Sequence, residues 1–110
     1  MNTLYFNPKC SKCQIGKAYL EERGRDFVLR EYLEELPSRA ELEGLFETYS
    51  GDGVDLVRPK ECKELLGMDP RGKSDWELIE MILKSPGILQ RPLLVSEESV
   101  IIGRPAENFG

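Results

Sequence analysis

Residues 5–13 read Tyr-Phe-Asn-Pro-Lys-Cys-Ser-Lys-Cys, and this stretch decides the fold. Strand-like residues stop at Asn7-Pro8, because proline removes a ladder hydrogen-bond donor and biases the residue before it away from helix. A helical pattern follows and carries Cys10 and Cys13 in its first turn. The unpaired N–H groups and positive dipole end of such a turn favour the thiolate, which is the reactive form of cysteine. The stretch therefore predicts a redox-active or oxyanion-attacking thiol where a strand passes into a helix.

The elements around this junction form a βαβ pattern. Residues 2–6 predict a first strand, and the helix that begins close to Cys10 ends at Gly24. The apolar residues of this helix recur at helical spacing, at Ile15, Ala18 and Tyr19. Residues 27–32 predict a second strand. Because a helix of about 13 residues separates the two strands, we expect them to pair in parallel.

Three helices are predicted in the middle of the chain, as an insertion over about residues 38–85. Two of them begin at capping boxes, formed by Ser38 with Glu41 and by Ser74 with Glu77. The short helix between them runs from Pro59 to Gly67. The predicted apolar faces hold Leu42, Leu45, Phe46 and Tyr49 in the first helix, Cys62, Leu65 and Leu66 in the second, and Leu78, Ile79, Ile82 and Leu83 in the third.

The C-terminal part of the chain predicts a β-hairpin. Residues 92–95 and 100–102 are apolar runs separated by the polar residues 96–99. A short final helix is expected after Arg104-Pro105. The whole pattern predicts an α/β fold with a four-stranded mixed sheet, made of the βαβ unit and the hairpin, in a single domain over residues 1–110.

Composition narrows the class of protein. The chain has 110 residues, 40% hydrophobic and 32% charged, which fits one soluble globular domain. Its 15 basic and 20 acidic residues are scattered, with a net charge of -5, so we expect no direct binding to nucleic acid. No leader-like or membrane-spanning run is found, and we expect a cytoplasmic protein without membrane contact. Nothing in the sequence demands more than a monomer.

The cysteines are expected to do chemistry rather than to form a disulfide scaffold, since the cytoplasm is reducing. Histidine is absent, which excludes Cys-His and Ser-His-Asp catalysis. A tetrahedral zinc site needs four ligands, and the chain offers Cys10, Cys13 and Cys62. We therefore expect no metal. Cys62 shares a predicted helix with leucines and is interpreted as a small core residue.

Three arginines stand out because each precedes a proline, at Arg58, Arg91 and Arg104. Most arginines are solvated surface charges, so spacing alone leaves their role open. If the three converge on a thiol, their guanidinium groups would match the geometry of a tetrahedral oxyanion, which they bind through two parallel hydrogen bonds.

The chain resembles the glutaredoxin-type arsenate reductase (ArsC) family, and the related Spx-type redox regulators, over nearly its whole length. Residues 5–11 are similar to the family's Tyr-x-Asn-Pro-x-Cys start, which includes Asn7 and is followed by Ser11. The Gln-Arg-Pro segment that ends at Pro92 is similar to the family's Asn-Arg-Pro segment, which has a cis proline. The resemblance implies a thioredoxin-like fold in which Cys10 attacks arsenate. It also implies that the oxyanion is held by Arg58, Arg91 and Arg104.

The resemblance also has departures. Reductases of the family often carry histidine where Phe6 stands and arginine where Gln14 stands, and they commonly lack a cysteine matching Cys13. We therefore expect Cys13 to be a possible resolving thiol. The expected reductant is a thiol partner, either glutathione with glutaredoxin or a thioredoxin, with no bound cofactor.

Two alternatives remain open at this point. The Cys-x-x-Cys pair is typical of Spx-type regulators, which bind RNA polymerase, although these usually lack an arginine matching Arg104. The same pair would serve a general dithiol reductase that acts on protein disulfides, but such an activity would give the three arginines no role. Binding of an oxyanion near Cys10 would separate the arsenate reductase from the dithiol reductase.

Overall fold

The first strand, β1 (Thr3–Phe6), lies between two others in a four-stranded sheet. The computed structural model describes residues 2–110. Within it β1 pairs in parallel with β2 (Val28–Glu31) and antiparallel with β3 (Leu93–Val95), which pairs antiparallel with β4 (Val100–Ile102). The strand order is β2-β1-β3-β4. The predicted mixed sheet, built from a βαβ unit and a C-terminal hairpin, is confirmed.

The first helix, α1 (Ser11–Glu22), begins directly after Cys10, as predicted. Its predicted apolar face is wrong at two of three positions, since Ile15 is 53% exposed and Ala18 is also exposed, whereas Tyr19 is partly buried against the core. The buried residues are instead Cys13, Gly16 and Leu20. A prediction from hydrophobic periodicity relies on large apolar side chains. It does not detect this face, because two of its three buried residues are a cysteine and a glycine.

Gly16 explains why this face is buried. A Cβ atom at Gly16 would lie 3.0 Å from Cγ of Pro92 and 3.1 Å from Cε2 of Phe109. The absence of a side chain therefore lets α1 approach both residues closely, and this approach brings the start of the helix to the residues around Pro92.

We expect Gly16→Val to destabilise the protein by about 2 kcal/mol, because the added methyl groups overpack a site that already lacks room for one carbon. Gly44 is the matched control: it is also helical, and nothing lies within 4 Å of a Cβ placed there. Gly44→Val should change the free energy of unfolding by less than about 0.5 kcal/mol. Urea denaturation of the two variants measures the difference, and equal midpoints would contradict the close packing.

The middle of the chain forms three α-helices: α2 (Arg39–Thr48), α3 (Pro59–Leu66) and α4 (Asp75–Lys84). Both predicted capping boxes are confirmed. The Glu41 backbone N–H donates to Oγ of Ser38 over 3.1 Å, and the Ser38 N–H donates to Oε1 of Glu41 over 3.0 Å. The same reciprocal pair of hydrogen bonds, between Ser74 and Glu77, caps the start of α4. Gly67 ends α3 in the left-handed region, with φ of 65°.

The apolar faces of these helices agree with prediction at Leu42, Leu45 and Phe46 of α2, whereas Tyr49 lies beyond the end of this helix and is only partly buried. Leu65 of α3 is 57% exposed and Leu83 of α4 is 36% exposed, although both were predicted to be buried. The buried residues of α4 are Leu78, Ile79 and Ile82, as predicted, together with Met81. Two 3₁₀ turns in this region, Gly53–Leu56 and Pro86–Ile88, were not predicted, and the predicted final helix is a 3₁₀ turn at Ala106–Phe109.

Internal packing divides the described chain into two units. The first comprises the chain up to Glu35 and again from Arg91 to the C-terminus, and it holds the sheet and α1. The second is Leu36–Gln90 and holds α2, α3 and α4. Within residues 2–110, none of the helices has the length and apolar character needed to cross a membrane.

Candidate active site

Cys10 occupies the N-cap position of α1, with extended backbone angles of φ -95° and ψ 119°. Its N–H donates to the carbonyl of Asn7 over 3.0 Å, and its carbonyl accepts from the N–H of Gln14 over 3.1 Å. The thiol is partly exposed. It therefore lies at the positive end of the helix dipole and remains within reach of a ligand.

The loop before Cys10 is held by side chains of the same segment. The Asn7 side-chain oxygen accepts from the Lys9 N–H over 3.0 Å, and Nε2 of Gln14 donates to the Pro8 carbonyl over 2.9 Å. Gln14 thus fixes the loop before Cys10 from within α1. Phe6 is buried in the core of the first unit. Ser11 is the exposed first residue of α1.

Two of the three arginines singled out by sequence lie beside Cys10. Nη2 of Arg104 is 3.4 Å from Sγ of Cys10, and Nε of Arg104 donates to the Arg91 carbonyl over 2.7 Å. The Arg91 side chain also hydrogen-bonds the Cys10 sulfur. The Gly103 N–H donates to the Pro92 carbonyl over 2.9 Å, which holds the two Arg-Pro segments together. The Arg91-Pro92 peptide is cis, as the family resemblance implies.

These neighbours set the pKa of Cys10. Burial raises the pKa of this thiol, but four interactions outweigh the desolvation and lower it below the ordinary value. The Cys13 N–H and the Cys13 thiol both hydrogen-bond the Cys10 sulfur, as does Arg91, and the charge of Arg104 attracts the thiolate. Cys10 is therefore the thiolate-forming member of the pair.

Cys13 has the opposite character. Desolvation raises the pKa of Cys13 to about 12, and the hydrogen bond and charge of Cys10 add to the increase. The hydrogen bond from the Asn7 N–H and the charge of Arg91 lower the pKa of Cys13, but by less. Its side chain is 0% exposed. Cys13 is therefore a protonated, buried thiol whose S–H stabilises the Cys10 thiolate.

Cys62 lies in α3 and is 0% exposed, which confirms its interpretation as a core residue. Burial raises the pKa of its thiol, and the Asp69 carboxylate adds to the increase. Among residues 2–110, no three Cys, Asp or Glu side chains are grouped so that they could hold a metal ion.

Arg58, the third arginine, belongs to the second unit and caps α3. Its Nε is 2.6 Å from Oε2 of Glu61, and its Nη1 donates to Oε1 of Gln90 over 3.1 Å. Glu61 is not among the site residues predicted from the sequence. The signal was present, because opposite charges three residues apart at the start of a helix lie on one side of it.

Comparison with known proteins agrees with this fold and with the motifs. Residues 5–110 match the sequence profile of the ArsC family. An arsenate reductase of Neisseria meningitidis is 32% identical over 109 residues, which cover 96% of this chain and 92% of the relative. The global transcriptional regulator Spx of Listeria innocua is 30% identical over 105 residues, which cover 94% of this chain and 79% of the regulator.

The solved structure of an arsenate reductase from Vibrio cholerae superimposes with a TM-score of 0.83 at 34% identity, and covers 96% of this chain and 92% of that one. The fold is thus the predicted thioredoxin-like one. With the profile match spanning nearly the whole sequence, the chain belongs to the ArsC family.

Proposed function

We propose that this protein is a thiol-dependent arsenate reductase in which Cys10 is the nucleophile. The observation that carries the proposal is the pairing of a thiol of lowered pKa with two guanidinium groups on the same sulfur. A dithiol reductase needs the thiol of lowered pKa and has no use for the guanidinium groups. Reaction with an oxyanion substrate uses both.

In the first proposed step, the Cys10 thiolate attacks the arsenic atom of arsenate. A sulfur–arsenic bond forms, and one arsenate hydroxyl takes up a proton and leaves as water. Arg91 and Arg104 stabilise the negative charge on the arsenate oxygens through hydrogen-bond donors that are already in place. Family resemblance adds Arg58 as a third oxyanion ligand.

In the second proposed step, the Cys13 sulfur attacks Sγ of Cys10. The sulfur–arsenic bond breaks, its electron pair reduces arsenic(V) to arsenic(III), and the Cys13 proton passes to the departing arsenite. The two cysteines are left as a disulfide. Bonding of Cys10 to arsenic removes the thiolate charge, which is one cause of the high pKa of Cys13, so the first step prepares the second.

The resulting disulfide is reduced by a dithiol protein such as thioredoxin, or glutathione with glutaredoxin attacks the arsenic adduct instead. The proposed location is the cytoplasm, because the proposed cycle needs a thiol reductant and this compartment keeps thioredoxin and glutathione reduced.

Arsenite production by the purified protein tests this function. One reaction receives arsenate with a thioredoxin system, and a second receives arsenate with glutathione and glutaredoxin. We expect at least one to exceed its protein-free blank by about tenfold or more. If Cys13 resolves, Cys13→Ser should lose the thioredoxin-driven rate and keep any glutathione-driven rate. Arsenite at the blank level in both reactions would refute the proposal.

A second candidate is a redox switch that binds RNA polymerase. It is favoured by the Cys10–Cys13 pair together with the similarity to a relative named as a transcriptional regulator. Closing the disulfide would alter the surface offered to the polymerase. A pull-down with RNA polymerase that gives equal recovery of the oxidised and reduced proteins would exclude this candidate.

A further inference from the structure

The 3₁₀ turn at Ala106–Phe109 packs against α1 through the side chain of Phe109. The ring is 3% exposed and belongs to the apolar core of the first unit. Its Cε2 atom would lie 3.1 Å from a Cβ atom placed on Gly16. The Phe109 carbonyl accepts from Nη1 of Arg25, shortly after the end of α1, over 3.0 Å. The turn is therefore fixed to the helix that carries Cys10 at its N-cap.

The ring of Phe109 also meets the backbone next to Arg104. A Cβ atom placed on Gly103 would overlap Cζ of the ring and lie 2.6 Å from Cε2, which is closer than carbon atoms approach without a bond. The ring is thus wedged between the backbone of α1 at Gly16 and the backbone at Gly103. Because Cys10 begins α1 and Arg104 follows Gly103, the ring sets the spacing between the segments that carry the thiol and the guanidinium group.

Asn108 ties the same turn to Arg104 by hydrogen bonds. Its Nδ2 donates to the Arg104 carbonyl and to the Ile102 carbonyl, each over 3.1 Å. The Asn108 N–H also donates to the Pro105 carbonyl over 3.0 Å. One side-chain amide thus uses both of its N–H donors on the two residues that flank Gly103.

The contact of Arg104 with Cys10 depends on this support. Nη2 of Arg104 lies 3.4 Å from Sγ of Cys10, and Nε donates to the Arg91 carbonyl over 2.7 Å. Arginine side chains are long and have many rotamers, so a guanidinium group is held on one atom only where its backbone is fixed as well. A shift of that backbone by about 1 Å would disturb both contacts, and misplacements of this size are known to cost up to about a hundredfold in rate.

We propose that Asn108 and Phe109 are positioning residues that hold Arg104 against Cys10. Phe109 sets the spacing between α1 and the Arg104 segment, and Asn108 fixes the Arg104 carbonyl within that segment. Each acts through Arg104. Where it concerns the substrate, this inference rests on the proposed function, in which Arg104 also holds the oxyanion.

Alkylation by iodoacetamide reports the position of Arg104 without any substrate. Cys13 and Cys62 are 0% exposed and the pKa of each is raised, so the reaction follows Cys10. Burial raises the pKa of Cys10, whereas hydrogen bonds from Cys13 and Arg91 and the charge of Arg104 lower it. If Arg104 moves away, this pKa rises, and the midpoint of the alkylation pH profile moves to higher pH.

Two test variants and two matched controls use this midpoint. Asn108→Leu keeps a similar size and removes both donors, and Phe109→Leu removes the ring. We expect the midpoint of each to move to higher pH, toward that of Arg104→Ala. Glu107→Leu, at an exposed neighbour in the same turn, and Phe27→Leu, at an aromatic residue packed against the same core, should keep the parental midpoint. A parental midpoint in either test variant would overturn the assignment of that residue, as would an equal shift in its matched control.

A double-mutant cycle excludes a merely structural role. In an Arg104→Ala background, Asn108→Leu should cause no further shift of the midpoint, because its effect on Cys10 passes through the guanidinium group. Asn108 is exposed, so we expect its variants to fold. A further shift of the same size in that background would overturn the proposal.

Arsenite production keeps this test separate from the proposed function. The kcat/KM for arsenate should fall about tenfold in Asn108→Leu and stay within about twofold of the parent in Glu107→Leu. Shifted midpoints in a protein that makes no arsenite would refute the reductase and support the positioning of Arg104. Parental midpoints in a protein that makes arsenite would overturn the positioning alone.

Discussion

Cys10→Ser should reduce arsenate at least about a thousandfold more slowly than the parent. Serine is nearly isosteric, but its hydroxyl does not ionise near neutral pH, so Arg91 and Arg104 would face a neutral group. Serine also cannot form the disulfide that supplies two electrons to arsenic. This single substitution therefore blocks both proposed steps. Initial rates of arsenite formation, with each of the two reductants, measure the loss.

Cys62→Ala is the matched control for removing a thiol. Cys62 is buried and its pKa is raised, so it has no proposed part in the reaction. Its substitution leaves a small cavity that costs about 1 kcal/mol of stability, and the activity should remain within about twofold of the parent. Activity retained by Cys10→Ser, or lost equally by the two variants, would contradict the assignment of Cys10 as nucleophile.

The order of elements could be predicted from sequence because local chemistry marks their ends. Ser38 and Ser74 start helices by capping them, and Gly67 ends one in a conformation that glycine adopts at little cost. Asn7-Pro8 separates β1 from α1. These signals lie within a few residues of the boundaries that they set, so they need no knowledge of tertiary packing.

The buried face of α1 could not be predicted in the same way. It depends on Gly16, whose importance comes from Pro92 and Phe109, residues distant in sequence. Periodicity weighs residues by their own hydrophobicity and gives a glycine no weight. The exposure of Leu65 in α3 has a similar origin, since the packing around a helix decides which part of an apolar stripe is covered.

The candidate site likewise has one part that local sequence predicts and another that depends on contacts between distant residues. Cys10 could be predicted from its own neighbours in sequence, and the arginines stood out through the prolines that follow them. Their convergence could not be derived from spacing, because the contact of Arg104 with Cys10 joins residues 94 positions apart. The raised pKa of Cys13 also depends on burial, which the Cys-x-x-Cys motif does not reveal.

Arg104 is expected to act both on the thiolate and on the substrate, and two substitutions separate these effects. Arg104→Ala removes a charge that lowers the pKa of Cys10, so this pKa should rise. In the parent, alkylation by iodoacetamide follows the thiolate fraction and falls as pH drops through the pKa of Cys10, which is lowered from that of an ordinary cysteine. In Arg104→Ala the midpoint should move to higher pH. An unchanged midpoint would show that Arg104 does not stabilise the thiolate.

Arg104→Lys keeps the positive charge and loses the planar guanidinium group with its several N–H donors. The guanidinium group reaches Sγ of Cys10 through Nη2 and the Arg91 carbonyl through Nε, and a single ammonium group cannot reproduce this geometry. We expect the alkylation midpoint to stay close to that of the parent while kcat/KM for arsenate falls about a hundredfold. Arg23→Lys, at an exposed arginine of the same unit, should leave both quantities unchanged. A lysine variant with parental kcat/KM would mean that charge alone suffices at this position, and that Arg104 acts on the thiolate without clamping the oxyanion.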